Sequence, residues 1–526
     1  MPVDRRVPHS DDAPASEVPD PDSTDPGAVL RTGETCWRIE RADRMAVVVD
    51  AADYFRIAKA AMLRARHRIM LIGWEFDTRI RLDPRSGGRD ELPDRLGRFL
   101  LSLVKTRPDL DIHLLEWGVG SVSRFGRAAT PVFLADWITD DRLHLRTDSE
   151  HPIAGAHHQK IVVIDDSFAF CGGIDMTVDR WDTSEHRDDH PVRRTPAGRP
   201  HGPWHDVTAA VDGEAARALA TLARRRWARA TGERLDPLDP SSDPWPPELE
   251  PAFRDVDVAI ARTMPHLPGR AEIREVEALW FAAIASARRS LYIETQYLAS
   301  RPIVDAIAQR LREPDGPDVV IVLPRNADGW LERKAMDGAR RVLLRELWDA
   351  DVHGRLGVHF PVAEGGTPIY VHAKVLVADD RLLRIGSSNL NNRSQGFDTE
   401  CDIAIEPPAP EQRAAVAAFR TRLLAEHLGV TADEITRRTD DAGTGLHAVV
   451  EELRGDGRSL VPFDAAHVSD EDSIVASSSL ADPEYAESGW PGRLARRLGL
   501  TRILRTGDRG RRQRGPDQQA RGVTTR

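Results

Sequence analysis

The chain of 526 residues has few cysteines, few lysines and no long apolar run. Its 3 cysteines, Cys36, Cys171 and Cys401, are odd in number and far apart, so they predict no disulfide framework and favour a reduced intracellular setting. No stretch reaches the roughly 18 consecutive apolar residues that a membrane-spanning helix needs, and residues 1–30 lack the apolar core of a signal peptide. We therefore expect a cytoplasmic protein whose contact with a membrane is peripheral.

The scarcity of lysine draws attention to a repeated pattern. Only 5 lysines occur in the chain, and 2 of them follow a histidine by two positions. Chance placement of so few lysines would give well below one such pair. Each pair is completed by an aspartate and a glycine at the same spacing: His158, Lys160, Asp165 and Gly172 in the first copy, and His372, Lys374, Asp379 and Gly386 in the second. The chain thus contains an internal repeat.

The residue types of the repeat are suited to phosphate chemistry. Alternate residues of a strand share a face, so each copy presents an imidazole beside an ammonium group, suited to nucleophilic or acid–base work and to binding a phosphate oxygen. Asp175 and Asn389, each 17 residues after the histidine, follow a Gly-Gly or Gly-Ser turn and are, with Ser387, candidate phosphate-binding residues. If the copies converge, they surround one phosphorus with two imidazoles and two ammonium groups. That set predicts phosphodiester cleavage without a metal or other cofactor.

This double pattern, His-x-Lys-x4-Asp-x6-Gly, resembles the duplicated HKD signature of the phospholipase D superfamily. The resemblance covers about residues 34–430 and includes PWHD at 203–206, YIETQYL at 292–298 and NLNNRS at 389–394, which are similar to the lipid-acting branch. It implies that the first-motif histidine, His158, is the nucleophile. It also implies the following catalytic set: His158, Lys160, Asp165, His372, Lys374 and Asp379.

The spacing also predicts the fold. A helical pattern over 51–68 leads into a strand at 69–72, and the same succession of helix and strand patterns recurs 222 residues later. We predict an α/β fold of two similar halves with mixed, largely parallel sheets, a pseudo-two-fold axis and the active site at their interface. The predicted segments are a disordered N-terminal segment 1–33, a first half 34–235, a Pro-rich linker 236–254, a second half 255–430, an extension 431–490 and a basic tail 491–526.

Two further groups of polar residues call for an interpretation. Asp206 and Glu400 begin predicted strands, and a histidine that acts as base and then acid needs such an acceptor. We assign Asp206 to His158 and Glu400 to His372, with surface acids as the alternative. The segment 179–203 also holds several His and Asp residues, but their irregular spacing favours a surface loop near the mouth of the site over a metal site.

Charge helps to rank the possible functions. The tail 491–526 carries 11 Arg and 2 Asp, whereas the whole chain has a net charge of −11, so the other residues are strongly acidic. An acidic body argues against a dedicated nucleic-acid partner. For the tail, binding to anionic lipid and a solubilising role both stay open.

The leading hypothesis is a monomeric phospholipid phosphodiesterase at a membrane surface. It would release phosphatidic acid or transfer the phosphatidyl group through a phosphohistidine intermediate. The alternatives are a cardiolipin synthase-type phosphatidyltransferase, a metal-independent nuclease of the same superfamily and, more remotely, a non-catalytic lipid-binding scaffold.

Overall fold

The structure, a computed structural model, describes residues 27–86, 92–117, 140–152, 155–239, 242–326, 330–440 and 444–464. Most of the predicted N-terminal segment, the end of the predicted extension and the whole basic tail lie outside these residues. Within the described part, no helix has the length and apolar character needed to cross a bilayer.

The described residues form 18 strands and 10 α-helices, together with a 3-10 turn at Pro84–Ser86. The strands are β1 Arg38–Val49, β2 Arg68–Gly73, β3 Asp111–Trp117, β4 Leu143–Asp148, β5 Ile161–Ile164, β6 Phe168–Gly172, β7 Trp204–His205, β8 Val207–Asp212, β9 Phe253–Met264, β10 Ile273–Arg274, β11 Ser290–Glu294, β12 Asp318–Val322, β13 Leu356–Val362, β14 Tyr370–Val371, β15 Val375–Ala378, β16 Leu382–Gly386, β17 Glu400–Ile405 and β18 Ser459–Pro462. The helices are α1 Ala51–Met62, α2 Leu96–Thr106, α3 Gly213–Thr231, α4 Glu275–Ser286, α5 Arg301–Arg312, α6 Trp330–Ala350, α7 Asn392–Gly396, α8 Pro410–Leu428, α9 Ala432–Asp440 and α10 Leu446–Leu453.

One sheet contains 16 of these strands, and its order shows the repeat. The long strands β1 and β9 pair with each other at the centre. From β1 outward the order is β8, β6, β5, β2, β3 and β4, and from β9 outward it is β17, β16, β15, β11, β12 and β13, with β18 at that edge. The prediction of an α/β fold with two similar halves about a pseudo-two-fold axis is therefore confirmed.

The prediction that the sheet is largely parallel is wrong. Among its described strands, the parallel pairs are β2–β3, β3–β4, β11–β12 and β12–β13. Antiparallel pairs dominate because each motif folds back on itself as a hairpin, β5–β6 or β15–β16, and because the two halves meet through the antiparallel pair of β1 and β9. Such short hairpin connections cannot join parallel neighbours.

The halves share one central apolar core. Ile161 and Cys171 from the first motif are buried there with Val375 and Ile385 from the second, and α3 and α8 pack against them. Each half also has its own apolar cluster on the outer face of the sheet. The predicted extension contributes the edge strand β18, which pairs with β13. The division into separate segments stays a prediction.

The glycine of each motif has a steric role in this core. A Cβ at Gly172 would overlap the backbone of Thr208 in the paired strand β8, and one at Gly386 would overlap Asp402 in β17. The close approach of the neighbouring strand therefore requires glycine at both positions.

We expect Gly172→Ala to destabilise the fold by about 1–3 kcal/mol or more, because the added methyl forces β6 and β8 apart. Urea unfolding of the variant, followed by circular dichroism, measures the loss. Gly202→Ala is the matched control, since an added Cβ there meets no atom within 4 Å. Equal stability of the two variants would contradict the steric role of Gly172.

Candidate active site

The backbone places each motif histidine against the other half of the chain. The His158 N–H donates to the Thr399 carbonyl (2.9 Å), and the His372 N–H donates to the His205 carbonyl (2.8 Å). Thr399 and His205 are the residues that precede Glu400 and Asp206. Each imidazole is thereby brought next to the acid of the opposite half.

The side chains of the two motif histidines also contact the opposite half. Nδ1 of His158 lies 3.0 Å from Oε2 of Glu400, and Nδ1 of His372 lies 2.7 Å from Oδ2 of Asp206. Both acids therefore contact a motif histidine, but our assignment of the partners was wrong: they are exchanged. The reason is topological, because the strand neighbour of each motif across the centre of the molecule comes from the other half.

Burial sets the charge state of these pairs. Burial first, and then Lys160, holds the pKa of His158 well below its usual range, and burial with Lys374 does the same for His372. Burial also raises the pKa of Asp206 to about 6 and raises that of Glu400. A neutral imidazole that donates from Nδ1 to a carboxylate keeps its lone pair on Nε2. Nε2 is thus the atom left for a ligand.

Both histidines line one cavity of about 460 Å³. Its wall is rich in aromatic and polar side chains: Trp74, Glu75, Trp117, Asp175, Arg180, Trp204, Gln296, Tyr297, Asn389, Asn391, Arg393, Ser394, Asp398 and Glu400. Nδ1 of each ring is occupied by its acid, so the two Nε2 atoms are the ones available to a molecule bound in this cavity. This is the geometry that the repeat predicted.

The two lysines have different neighbours. Nζ of Lys160 donates to the His158 carbonyl (3.1 Å) and lies 3.0 Å from Oδ2 of Asp175, whose Oδ1 accepts from the Trp74 backbone N–H (3.1 Å). Nζ of Lys374 donates to the His372 carbonyl and lies 3.4 Å from Oε1 of Gln296. Burial lowers the pKa of Lys374 to about 7. The first lysine is neutralised by a carboxylate, whereas the second faces an amide.

The candidate phosphate-binding residues fall into two groups. Asp175 and Asn389 line the cavity, and Oδ1 of Asn389 has no hydrogen-bond partner among the described residues. Ser387 does not line it: its hydroxyl donates to Glu400 (2.5 Å) and accepts from the Cys401 N–H (3.0 Å). Ser387 was predicted to bind phosphate, but its side chain instead supports Glu400, the acid that faces His158.

Asp165 and Asp379, predicted to be catalytic, do not line the cavity. Asp165 accepts from the backbone N–H groups of residues 66, 67 and 68 at 2.7–2.8 Å, and Asp379 does the same for residues 288–290 at 2.7–3.3 Å. These bonds hold the turn that enters β2 or β11. They also explain why α1 ends at Met62 although the helical pattern continues to residue 68: these N–H groups bind a carboxylate instead. Both aspartates therefore have a structural role, because they stabilise these two turns.

The segment 179–203 is only partly the surface loop that we predicted. Arg180 lines the cavity, in keeping with a position near its mouth, and lies over Trp204 (4.1 Å to the ring centroid). Asp182 and His186, however, are 0% exposed. Irregular spacing hid this burial, because the segment has no periodic pattern that would reveal a buried face.

Gln296 is a site residue whose role the sequence did not reveal. Its side-chain oxygen lies 3.4 Å from both Nζ of Lys374 and Nδ2 of Asn389. It belongs to the stretch YIETQYL, where its position two residues after Glu294, at the carboxyl end of β11, could have drawn attention to it. Trp204, within PWHD, similarly stacks on Tyr370 (4.4 Å between centroids) beside His372.

Comparison with known families agrees with this geometry. A family model described as "Phospholipase D" matches residues 61–243, and one described as "Cardiolipin synthase, PLD-like domain" matches residues 281–421. Together these matches span more than half of the chain, one on each half. The chain belongs to the phospholipase D superfamily.

Individual members of the superfamily are similar to the chain at low identity. Phospholipase D A of Dictyostelium discoideum is 25% identical over 478 residues, covering 75% of this chain and 36% of that protein. Phospholipase D delta of Arabidopsis thaliana is 24% identical over 551 residues, covering 72% of this chain and 63% of that protein. The chain thus spans less than two thirds of the length of these relatives. Among solved structures, phosphatidylserine synthase of Haemophilus influenzae Rd KW20 aligns with a TM-score of 0.49 and 14% identity over 74% of this chain and 89% of that one.

The position of Asp165 leads to a test. We expect Asp165→Ala to lose about 3 kcal/mol or more of unfolding free energy, because three backbone donors lose a buried acceptor. Turnover per folded molecule should stay far above that of His158→Ala. Urea unfolding and activity assays on the folded fraction measure both effects, and Asp109→Ala, at an exposed position, should change stability by no more than about 0.5 kcal/mol. A stable Asp165→Ala protein as inactive as His158→Ala would place Asp165 in the reacting machinery.

Proposed function

We propose that this protein cleaves the phosphodiester of phospholipids and transfers the phosphatidyl group to water or to an alcohol, through a phosphohistidine on His158. One observation carries the proposal: two histidines, each hydrogen bonded through Nδ1 to a buried acid, line the same cavity with lysines beside them. A nucleophile and an acid–base group on opposite sides of one phosphorus are what a double displacement requires.

In the first step, the Nε2 lone pair of His158 attacks phosphorus and the bond from phosphorus to the head-group oxygen breaks. His372, protonated at Nε2 next to the bound anionic phosphate, gives its proton to the leaving oxygen. The negative charge of the substrate opposes the effect of burial on the His372 pKa. Glu400 stabilises the His158 ring as positive charge develops on it, since their atoms lie 3.0 Å apart.

In the second step, neutral His372 removes a proton from water or an alcohol, whose oxygen attacks the same phosphorus. The P–N bond breaks and His158 is restored. Water gives phosphatidic acid, and an alcohol gives a new phosphatidyl ester. Asp206 holds His372 through Nδ1 in both steps, so the ring can accept and release the proton at Nε2 without rotating.

The non-bridging oxygens need positive charge and hydrogen-bond donors as the transition state forms. Lys374 and the amide of Asn389 both contact Gln296, which lines the cavity, and Lys160 contacts Asp175, which lines it on the first-motif side. Asp175 is the partner of Lys160 and, as an anion, is better suited to orient that lysine than to bind phosphate. The aromatic wall formed by Trp74, Trp117 and Trp204 offers apolar surface to the glycerol and acyl parts of a lipid.

The match of the second half to a cardiolipin synthase-type model supports one further candidate. If the preferred alcohol is itself a phospholipid head group, the same two steps make a cardiolipin-type product. The difference lies only in the acceptor.

Incubation of the purified protein with mixed-phospholipid vesicles, with and without ethanol, tests the proposal. We expect phosphatidic acid without ethanol and phosphatidylethanol with it, because one intermediate serves both acceptors. Mass spectrometry identifies the products. His353→Ala, at an exposed position, is the matched control and should keep full turnover. Cleaved single-stranded DNA with intact lipid would favour the nuclease alternative instead.

Adduct formation distinguishes the roles of the two histidines. With a substrate that has a good leaving group, His372→Ala should still form a phosphatidyl adduct on His158, since no general acid is then required. On ordinary phospholipid the same variant should lose about 10²–10⁴-fold in turnover. His158→Ala should form no adduct. Peptide mapping of the wild-type adduct to His372 would reverse the assignment while leaving the reaction class intact.

A further inference from the structure

A second cluster of histidines and acids lies behind the active site. Asp50, at the junction of β1 and α1, meets His186 from the segment 179–203, His205 from β7 and Glu426 from α8. Asp50, His186 and His205 are at most 1% exposed. We call these four residues the histidine–carboxylate cluster. The reaction proposed above uses none of them.

The facing atoms of the cluster are spaced like the ligands of one small ion. Nε2 of His186 is 3.1 Å from Oε1 of Glu426 and 3.6 Å from Oδ2 of Asp50. Nδ1 of His205 is 2.9 Å from the same Glu426 oxygen and 3.3 Å from Oδ1 of Asp50. Around a tetrahedral Zn²⁺ with bonds of roughly 2.0–2.2 Å, neighbouring ligand atoms lie roughly 3.3–3.5 Å apart.

The outward nitrogens of both rings are bonded to further carboxylates. Nδ1 of His186 lies 2.9 Å from Oδ2 of Asp182, and Nε2 of His205 lies 2.9 Å from Oε2 of Glu294. Histidines that bind a metal through one nitrogen almost always donate from the other to a carboxylate or carbonyl, which fixes the tautomer. Both rings of the cluster are held in that way, and their other nitrogens are directed at the same point, each within 3.1 Å of Oε1 of Glu426.

Protons alone satisfy the cluster poorly. All four ring nitrogens of His186 and His205 lie next to carboxylate oxygens, so with these carboxylates ionised and no other cation at the centre both rings are imidazolium ions. Their centroids are 5.7 Å apart, and like charges that close in a buried site repel. Oδ2 of the buried Asp50 still has no hydrogen-bond partner among the described residues. One more cation at the centre would satisfy this oxygen and leave both rings neutral.

The electrostatics of His186 point the same way. Three carboxylates surround this ring: its Nε2 lies 3.1 Å from Oε1 of Glu426 and 3.6 Å from Oδ2 of Asp50, and its Nδ1 lies 2.9 Å from Oδ2 of Asp182. The surrounding acids therefore create a strong local demand for positive charge. The guanidinium of Arg458 is a further positive charge near the histidine–carboxylate cluster, and it donates to the Glu185 carbonyl (3.2 Å).

We propose that Asp50, His186, His205 and Glu426 bind one divalent transition-metal ion of the Zn²⁺ class, as a structural site separate from the reacting histidines. Two imidazoles and two carboxylates in a closed four-ligand arrangement suit such an ion. Binding displaces the protons from Nε2 of His186 and Nδ1 of His205, while Asp182 and Glu294 keep the hydrogen bonds of the other two nitrogens.

The proposed metal site lies next to Asp206, the acid that holds His372. His205 immediately precedes Asp206, and its carbonyl accepts from the His372 N–H. The Asp50 N–H donates to the Asp206 carbonyl (2.8 Å). An ion that fixes Asp50 and His205 therefore fixes the backbone on both sides of the acid that holds His372. The metal would support this pair without touching the substrate.

Metal analysis of the full chain tests the proposal. The protein is purified through a tag without histidines, dialysed, and analysed by inductively coupled plasma mass spectrometry before and after Zn²⁺ addition. We expect about one equivalent of tightly held metal in the wild type and in His190→Gln, the matched control from the same segment. His186→Gln should lose it, and Asp182→Asn should bind roughly 10–100-fold more weakly, because it loosens the His186 ring.

Further measurements keep the result interpretable if His186→Gln folds poorly. His186→Cys supplies another zinc ligand and should restore metal binding. Co²⁺ in the wild type should give the visible absorption of a tetrahedral site. Wild-type protein that takes up neither Zn²⁺ nor Co²⁺, or a folded His186→Gln that holds as much metal as His190→Gln, would overturn the proposal. Because metal content is measured directly, these outcomes do not depend on the lipid activity.

Discussion

The exchange of acids between the two halves is the constraint on which the rest of the structure depends. His158 is held by Glu400 and His372 by Asp206, so neither imidazole has its acceptor until both halves are in place. The same contact is made by the backbone, through the bonds of His158 to Thr399 and of His372 to His205. The shared apolar core and the central pair of β1 and β9 therefore position the site as well as stabilise the fold.

The sequence revealed much of this because the repeat is regular. The strand predicted at 69–72 lies within β2, Glu400 begins β17 as predicted, and α1 begins at Ala51 as the helical pattern indicated, since alternation and helical spacing are local properties. The partner of each histidine was not local. It depends on which strand lies beside which across the centre of the molecule, and the sequence order placed Asp206 nearest to the wrong histidine.

Two other differences between the prediction and the structure also arise from contacts that are not local in the sequence. Asp165 and Asp379 recur at fixed spacing, which looked catalytic, but the repeat preserves turns as faithfully as it preserves reacting groups. The burial of Asp182 and His186 depends on contacts with α8 and β7, far away in the sequence. Spacing within a segment carries no information about such distant neighbours.

The pseudo-symmetry is broken at a few chemically important positions. The first lysine faces the carboxylate Asp175, whereas the second faces the amides of Gln296 and Asn389. The first acid, Asp206, accepts from the Val207 backbone N–H, whereas Glu400 accepts from two serine hydroxyls, those of Ser387 and Ser394. One scaffold thus gives two similar imidazoles different surroundings, as unequal roles in one reaction demand.

The crossed pairs also bear on how such a molecule can be assembled. A single half would carry a histidine without its acceptor and an acid without its histidine, but two copies about a two-fold axis would complete each other, as in an isologous dimer. Joining the copies in one polypeptide keeps that complementarity but no longer requires the two halves to be identical. Each half is then free to change its own residues, and the site can specialise in a way that two identical subunits cannot.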